Sequence, residues 1–196
     1  IDGGPTAYDA GAVYIFNRNA SGFWQERDYI KGSTTANNHN FGISVSLEGD
    51  RLAVGAEGDL GNNASGELSG GAAYVFTRDG NGNWSQQALI KASNTGGGFG
   101  HVVSLSGNTL AVSAQREKSN ATGINQDETD VSASNAGAVY VFTYDGNSTW
   151  TQQAYIKASN TESQDLFGFS MALSGDTLAV GAMFEDSNAI LIDGDQ

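Results

Sequence analysis

Gly11-Ala12-Val13-Tyr14-Ile15-Phe16, Gly71-Ala72-Ala73-Tyr74-Val75-Phe76 and Gly137-Ala138-Val139-Tyr140-Val141-Phe142 are three copies of one phrase, beginning 60 and then 66 residues apart. A fixed period of this size is the mark of a repeat architecture. Each copy continues alike. A tryptophan follows eight residues after the Phe, at Trp24, Trp84 and Trp150. Ile-Lys comes next (Ile30-Lys31, Ile90-Lys91, Ile156-Lys157), then Phe-Gly (Phe41-Gly42, Phe99-Gly100, Phe167-Gly168). Every copy closes on Leu-Ala-Val-x-Ala, at 52–56, 110–114 and 178–182.

Between these landmarks the chemistry is that of strands and tight turns. The Tyr-x-Phe and Leu-Ala-Val segments are short, β-branched and aromatic, and are bounded by Gly, Asn, Asp and Ser. Gly49-Asp50, Gly107-Asn108 and Gly175-Asp176 supply the positive φ that a two-residue hairpin requires. A second hairpin joins each Tyr-x-Phe strand to its Trp strand through turn formers such as 77–83. Each period therefore holds four antiparallel strands. Ala12 to Phe16 are all apolar, so both faces of the sheet must be covered, as happens when sheets stack around an axis. The reading is all-β: β-propeller blades of four antiparallel strands, three blades in this chain, with Phe16, Phe76 and Phe142 in equivalent buried places. Polar strands such as Gln86–Lys91 form the outer edge and discourage unwanted pairing. The chain is one propeller segment over 1–196, with repeat landmarks at 11–56, 71–114 and 137–182. The linking loops are 57–70, 115–136, and 183–196 with 1–10.

Composition removes several functional classes. The 196 residues carry 22 acidic and 9 basic side chains, a formal charge of -13, with a pI near 4.2. Such a charge opposes the phosphate neutralisation on which nucleic-acid binding depends and is repelled by anionic membranes. No apolar run reaches the roughly 18 residues of a membrane span. The absence of cysteine excludes disulfides, thiolate zinc sites and thiol nucleophiles. Ile1-Asp2-Gly3-Gly4 carries neither a start Met nor a signal-peptide pattern, as expected of a mature or excised piece.

Phe41-Gly42-x-Ser44-Val45, Phe167-Gly168-x-Ser170, Val54-Gly55-Ala56 and Val180-Gly181-Ala182, with the Gly-Ala-Val-Tyr strands that follow, resemble the FG-GAP repeats of the integrin α-subunit type in their bacterial extracellular form. The resemblance spans essentially the whole chain. It implies a larger propeller, seven-bladed in that family, a surface or secreted location, and a role in adhesion or ligand binding. Two departures stand out. The Asp-rich calcium loop between the Phe-Gly and Gly-Ala strands is replaced by the short Gly-Asp or Gly-Asn hairpin, so the family's calcium ligands have no counterparts. Glu57, Gln115 and Met183 stand where a proline usually follows Gly-Ala.

Three blades are fewer than the four to eight of closed propellers. The expected partners are therefore further blades of the same chain or neighbouring copies, covering bare faces built from Val13, Ile15, Val54 and Val180. The terminal stretches 183–196 and 1–10, joined, nearly equal the 115–136 loop in length, which fits either an excerpt of a longer array or units joined head to tail. Oxygen ligands cluster only in these loops. Asn125, Asp127 and Asp130, and in the composite loop Asp193 and Asp195, can offer hard oxygens to Ca²⁺; the competing reading is a solvated acidic loop.

Other residues receive plainer readings. His39 and His101 are surface or satisfied loop histidines, and no nucleophile elbow, phosphate loop or zinc helix motif occurs. The three tryptophans read as blade packing in preference to sugar stacking. Function then reads as a non-enzymatic extracellular adhesion or ligand-binding module for a protein or glycan, without nucleic-acid binding or membrane insertion. The alternatives are a structural subunit of an extracellular fibre or layer, and an accessory domain of a secreted hydrolase.

Overall fold

The computed structural model describes residues 7–62, 68–94, 97–188 and 190. Its twelve strands are β1 (Val13–Arg18), β2 (Trp24–Ile30), β3 (Val45–Glu48), β4 (Arg51–Asn62), β5 (Leu68–Arg78), β6 (Trp84–Ile90), β7 (Gly97–Ser106), β8 (Thr109–Arg116), β9 (Ala138–Tyr144), β10 (Trp150–Ile156), β11 (Phe167–Ser174) and β12 (Thr177–Ala182). No helix occurs among the described residues. Strands β3 to β6 form one antiparallel four-stranded sheet and β7 to β10 a second, linked by a single parallel bridge between Gly71 and Phe99. Two-stranded sheets, β1–β2 and β11–β12, flank them.

This grouping corrects the expectation of three equal four-stranded sheets. A Leu-Ala-Val strand pairs with the Tyr-x-Phe strand that follows it in the chain, as in Leu52 opposite Phe76 and Leu110 opposite Phe142. The 57–70 stretch, most of which continues β4 to Asn62 and opens β5 at Leu68, and the 115–136 loop thus connect strands within one sheet, and the Ile-Lys to Phe-Gly segments cross between sheets. The twelve strands consequently divide into two complete sheets and two halves. Phe76 and Phe142 are 4% exposed, whereas Phe16, with no inner hairpin beside it among the described residues, is 51% exposed.

The core lies between sheets, in two layers. Val13, Ile15 and Ile30 of the first half pack with Phe41, Leu52, Val54, Tyr74 and Phe76 of the next sheet. Ala53, Ala73, Val75 and Ile90 meet Phe99, Leu110, Val112, Tyr140 and Phe142 in the second layer. Val13, Ile15 and Val54 are therefore buried, contrary to their assignment to a bare face. The exposed apolar side chains on β1 are the alternate ones, Tyr14 and Phe16.

The Gly-Ala and Phe-Gly motifs bring adjacent sheets together. Gly11, Gly71 and Gly137 have φ of 76°, 103° and 86°, and each lies against the backbone of Phe41, Phe99 or Phe167 in the next sheet. A Cβ on them would fall 2.0, 1.8 and 2.1 Å from that Phe carbonyl oxygen, so only glycine fits. The inner strands are joined differently. Ser44, just before β3, and Ser46 within it lend their hydroxyls to the Val103 and Leu105 N–H groups of β7, at 3.1 and 2.9 Å. Ser104 and Ser106 of β7 do the same for Leu173 and Gly175 at 3.0 and 2.9 Å. N–H groups on an open strand edge thereby find acceptors in the preceding sheet.

The turns follow the sequence. Gly49, Gly107 and Gly175 hold φ of 57°, 55° and 55° in the inner hairpins. Asn19, Asp79 and Asp145 open the outer hairpins, and each uses its Oδ1 to accept the N–H groups two and four residues ahead.

Gly71→Ala meets both a forbidden backbone and the Phe99 carbonyl, so it should abolish cooperative folding or cost at least about 3 kcal/mol. Gly80→Ala, in the open β5–β6 turn with nothing within 4 Å, should stay within about 0.5 kcal/mol of the parent in the same denaturant titration.

Candidate functional site

The third residue after each Leu-Ala-Val-x-Ala segment is acidic: Asp59, Glu117 and Glu185. Two of these carboxylates lie buried inside their sheets, where each meets the lysine of an Ile-Lys pair. Lys157 Nζ donates to Glu117 Oε2 at 2.8 Å, with side chains 0% and 2% exposed. Lys91 Nζ donates to Asp59 Oδ1 at 3.0 Å and to the Gly71 carbonyl at 3.1 Å. A charge removed from water survives only when paired and hydrogen-bonded, and both sites supply the extra bonds. Asp59 Oδ2 accepts from the Tyr74 hydroxyl and from Thr34 Oγ1 at 3.0 Å. Glu117 Oε1 accepts from the Ser119 N–H at 3.0 Å and from Asn94 Nδ2 at 3.3 Å, while Tyr140 donates its hydroxyl to Asn94 Oδ1 at 2.6 Å.

Each cluster thus draws a carboxylate from within the second strand (Asp59) or just past it (Glu117), a tyrosine from the third, a lysine after the fourth, and Thr34 or Asn94 from the segment entering the sheet. Burial alone would raise the Asp59 carboxyl, but the Tyr74 and Lys91 hydrogen bonds hold it below the usual range. Burial and Asp59 push the Tyr74 hydroxyl up, and burial with the Glu117 charge does so for Tyr140. Burial lowers Lys157, against the pull of Glu117. The chemistry is that of a latch: charges tie the root of each linking loop to the outer half of its sheet.

Glu185 makes the third cluster in part. Asn160, equivalent to Asn94, donates to its Oε1 at 2.8 Å, and the Ser187 N–H donates at 2.9 Å. Asp165, 2% exposed, lies on the same pocket wall as Asn160, Glu162 and Glu185.

The loop over 115–136 folds back along β10. Asn125 bonds the Tyr155 backbone both ways, N–H to carbonyl at 2.8 Å and Oδ1 from N–H at 2.9 Å. Asp127 Oδ1 accepts from the N–H and hydroxyl of Thr129, and Asp130 Oδ1 from the N–H groups of Asn120 and Ser132. These bonds hold both carboxyls below their ordinary range. Asn125 therefore serves β10, while Asp127 and Asp130 serve their own loop. Asp193 and Asp195 lie outside the described residues. Among the described residues no three His, Cys, Asp or Glu side chains gather as a metal would require.

Both histidines are held against carboxylates. His39 is 7% exposed with Nδ1 3.9 Å from Asp59, so it is a buried residue and not a surface one. His101 Nδ1 lies 3.0 Å from Glu57 Oε2. Trp84 and Trp150 pack against the two core layers under Arg78 and Arg51, whereas Trp24 is 68% exposed. The carboxylate–lysine clusters escaped the sequence reading, although the recurring Ile-Lys and the acid three residues past each Ala were their signal.

Stacked four-stranded antiparallel sheets, repeated with the same latch and the same glycine contacts, define a β-propeller-type repeat protein. The family model described as FG-GAP repeat matches residues 24–76, 84–142 and 150–193, and the chain belongs to that family. A search of curated proteins found no match.

Lys157→Met leaves Glu117 buried and unpaired and should cost about 3–5 kcal/mol in a denaturant titration; adding Glu117→Gln should recover much of the loss. Asp59 has its folded pKa lowered, so its contribution is present above the unfolded value of about 3.9 and is lost as pH falls through the folded one. Stability measured from pH 7 to pH 2 should decline less steeply at the acid end in Asp59→Asn than in the parent.

Proposed function

We propose that this chain is a non-enzymatic ligand-binding or adhesion module that works outside the cell, with the repeated sheets as scaffold and the linking loops as contact surface. The observation that carries this reading is the contrast between the two. The sheets repeat residue by residue, but the loops that their latches anchor differ in length and content, and the 115–136 loop is built onto β10 by named hydrogen bonds. A rigid frame that presents one distinctive loop is the arrangement binding proteins use. That loop exposes Ile124 (59%) and Val131 (65%) beside Asp127 and Asp130, a mixture suited to a protein or glycan surface.

Retention of the chain on immobilised extracellular proteins and glycans tests it. The parent should bind at least one class, and Ile124→Ser with Val131→Ser should weaken that binding at least about tenfold without altering the melting temperature. Equal binding by both would defeat the loop reading. Calcium held through Asp127 and Asp130 is part of the same proposal. Millimolar calcium should then raise the melting temperature over that in chelator, and Asp127→Asn with Asp130→Asn should remove the difference. Identical curves for the parent in calcium and chelator would remove calcium from the proposal.

A further inference from the structure

The two complete latches differ in one member. Where Thr34 offers a hydroxyl to Asp59, Asn94 offers a carboxamide to Glu117. A lysine, a side-chain amide and a carboxylate that touches both are the parts of an amide-exchange reaction. We propose that Lys157 and Asn94 join covalently, the lysine nitrogen displacing ammonia from the Asn94 carboxamide to leave an isopeptide cross-link, with Glu117 as the proton carrier.

Each reacting group is already engaged. Lys157 Nζ, the nucleophile, donates to Glu117 Oε2 at 2.8 Å, and Asn94 Nδ2, the leaving nitrogen, donates to Oε1 of the same carboxylate at 3.3 Å. Asn94 Nδ2 also donates to the Glu128 carbonyl at 2.8 Å, and Tyr140 donates its hydroxyl to Asn94 Oδ1 at 2.6 Å. Two acceptors on the nitrogen and a donor on the oxygen fix which way the amide faces. The Tyr140 hydroxyl thus lies where negative charge develops when Cγ is attacked, as an oxyanion donor must. Water is kept out: the Lys157 and Glu117 side chains are 0% and 2% exposed, and the rings of buried Tyr140 and Tyr155 pack 5.2 Å apart. Burial holds Lys157 below the ordinary lysine range, which favours the neutral amine that the attack needs.

The step balances within the chain. Glu117 takes a proton from the Lys157 ammonium, and the freed Nζ lone pair attacks Asn94 Cγ. The carbonyl electrons move onto Oδ1, against the Tyr140 hydroxyl. Glu117 passes its proton to Nδ2, the carbonyl re-forms, the Cγ–Nδ2 bond breaks, and ammonia departs with the second surplus proton of Nζ as ammonium. One Nζ–Cγ bond replaces one Cγ–Nδ2 bond, and nothing is oxidised or reduced. The carboxylate that must take a proton from one nitrogen and give it to the other already touches both.

The first latch lacks the electrophile. Thr34 has no carbonyl to attack, and Asp59, whose hydrogen bonds to Tyr74 and Lys91 favour its ionised form, is a poor target for an amine. It supplies an internal comparison in the same chain. Asn94 precedes β7 and Lys157 follows β10, so the cross-link closes all four strands of that sheet into one covalent ring. A closed ring restricts the unfolded chain and so favours the folded one. The inference concerns the root of the sheet and stands apart from the ligand reading of the 115–136 loop.

Intact-mass spectrometry tests it, on chain first shown by circular dichroism to be folded and then denatured. The expected mass lies below that of the sequence by one ammonia, and a protease digest should hold one branched peptide joining the segment of Asn94 to that of Lys157. Lys157→Arg, Glu117→Gln and Asn94→Thr should each keep the full mass of their sequence. Asn94→Thr should also keep the fold, because the first latch already uses threonine at that place. Full mass in the folded parent, ammonia loss that leaves Lys157 open to cleavage, or ammonia loss that persists in Asn94→Thr would each overturn the cross-link. Loss of water in its place would overturn it too, since that outcome marks Glu117 as the target.

Discussion

The backbone contact between a Gly-Ala glycine and a Phe-Gly phenylalanine governs this molecule. It helps to set the separation of adjacent sheets where their main chains touch, and it tolerates no side chain. From that fixed approach follow the T-shaped seat of Phe41 against Tyr74 and of Phe99 against Tyr140, with ring centroids 5.2 and 5.3 Å apart. The same approach brings the inner strands close enough for serine hydroxyls to reach across. The tight glycine pair makes two sheets one body, and burial between them supplies most of the stabilisation.

The latches act along a different line. They tie strands of a single sheet at the end where the linking loops depart, and they do so with ions that water no longer reaches. A buried pair adds little net stability over apolar residues of the same shape, but it tolerates few alternative arrangements. Lys157 bonded to Glu117 admits one register for the end of β10 against the end of β8. The loop from 115 to 136 therefore leaves a defined point, although its length would allow many paths.

How far the chain could be read without coordinates depended on the kind of signal. Strand content, the Gly-Asp and Gly-Asn turns and the family likeness were legible, because each rests on residues with a local conformational demand. The phase of the sheets was not. A periodic sequence has no intrinsic origin, so nothing local to Leu52 tells whether it pairs with Phe16 before it or with Phe76 after it. The same ambiguity placed Val13, Ile15 and Val54 on a bare face when they fill a core layer, and hid the exposure of Tyr14 and Phe16. The latch was obscured because its acid alternates between Asp59 and Glu117 and its fourth member between Thr34 and Asn94. The oxygen-rich 125–130 stretch was visible, but its side chains chiefly close turns, a use that composition does not distinguish from waiting for a ligand.

The serine bonds between inner strands carry a consequence for how such a stack can be copied and lengthened. Hydroxyls run from β3 to β7 and from β7 to β11, both in chain order, so the sheet of β7 has an accepting side and a donating side. Two sheets turned face to face would set hydroxyl against hydroxyl and strand the amides. The array is thereby vectorial, like a row of tiles with tongue and groove. Duplication of one whole period inserts a tile without disturbing its neighbours, whereas an inverted insertion has no edge to accept it.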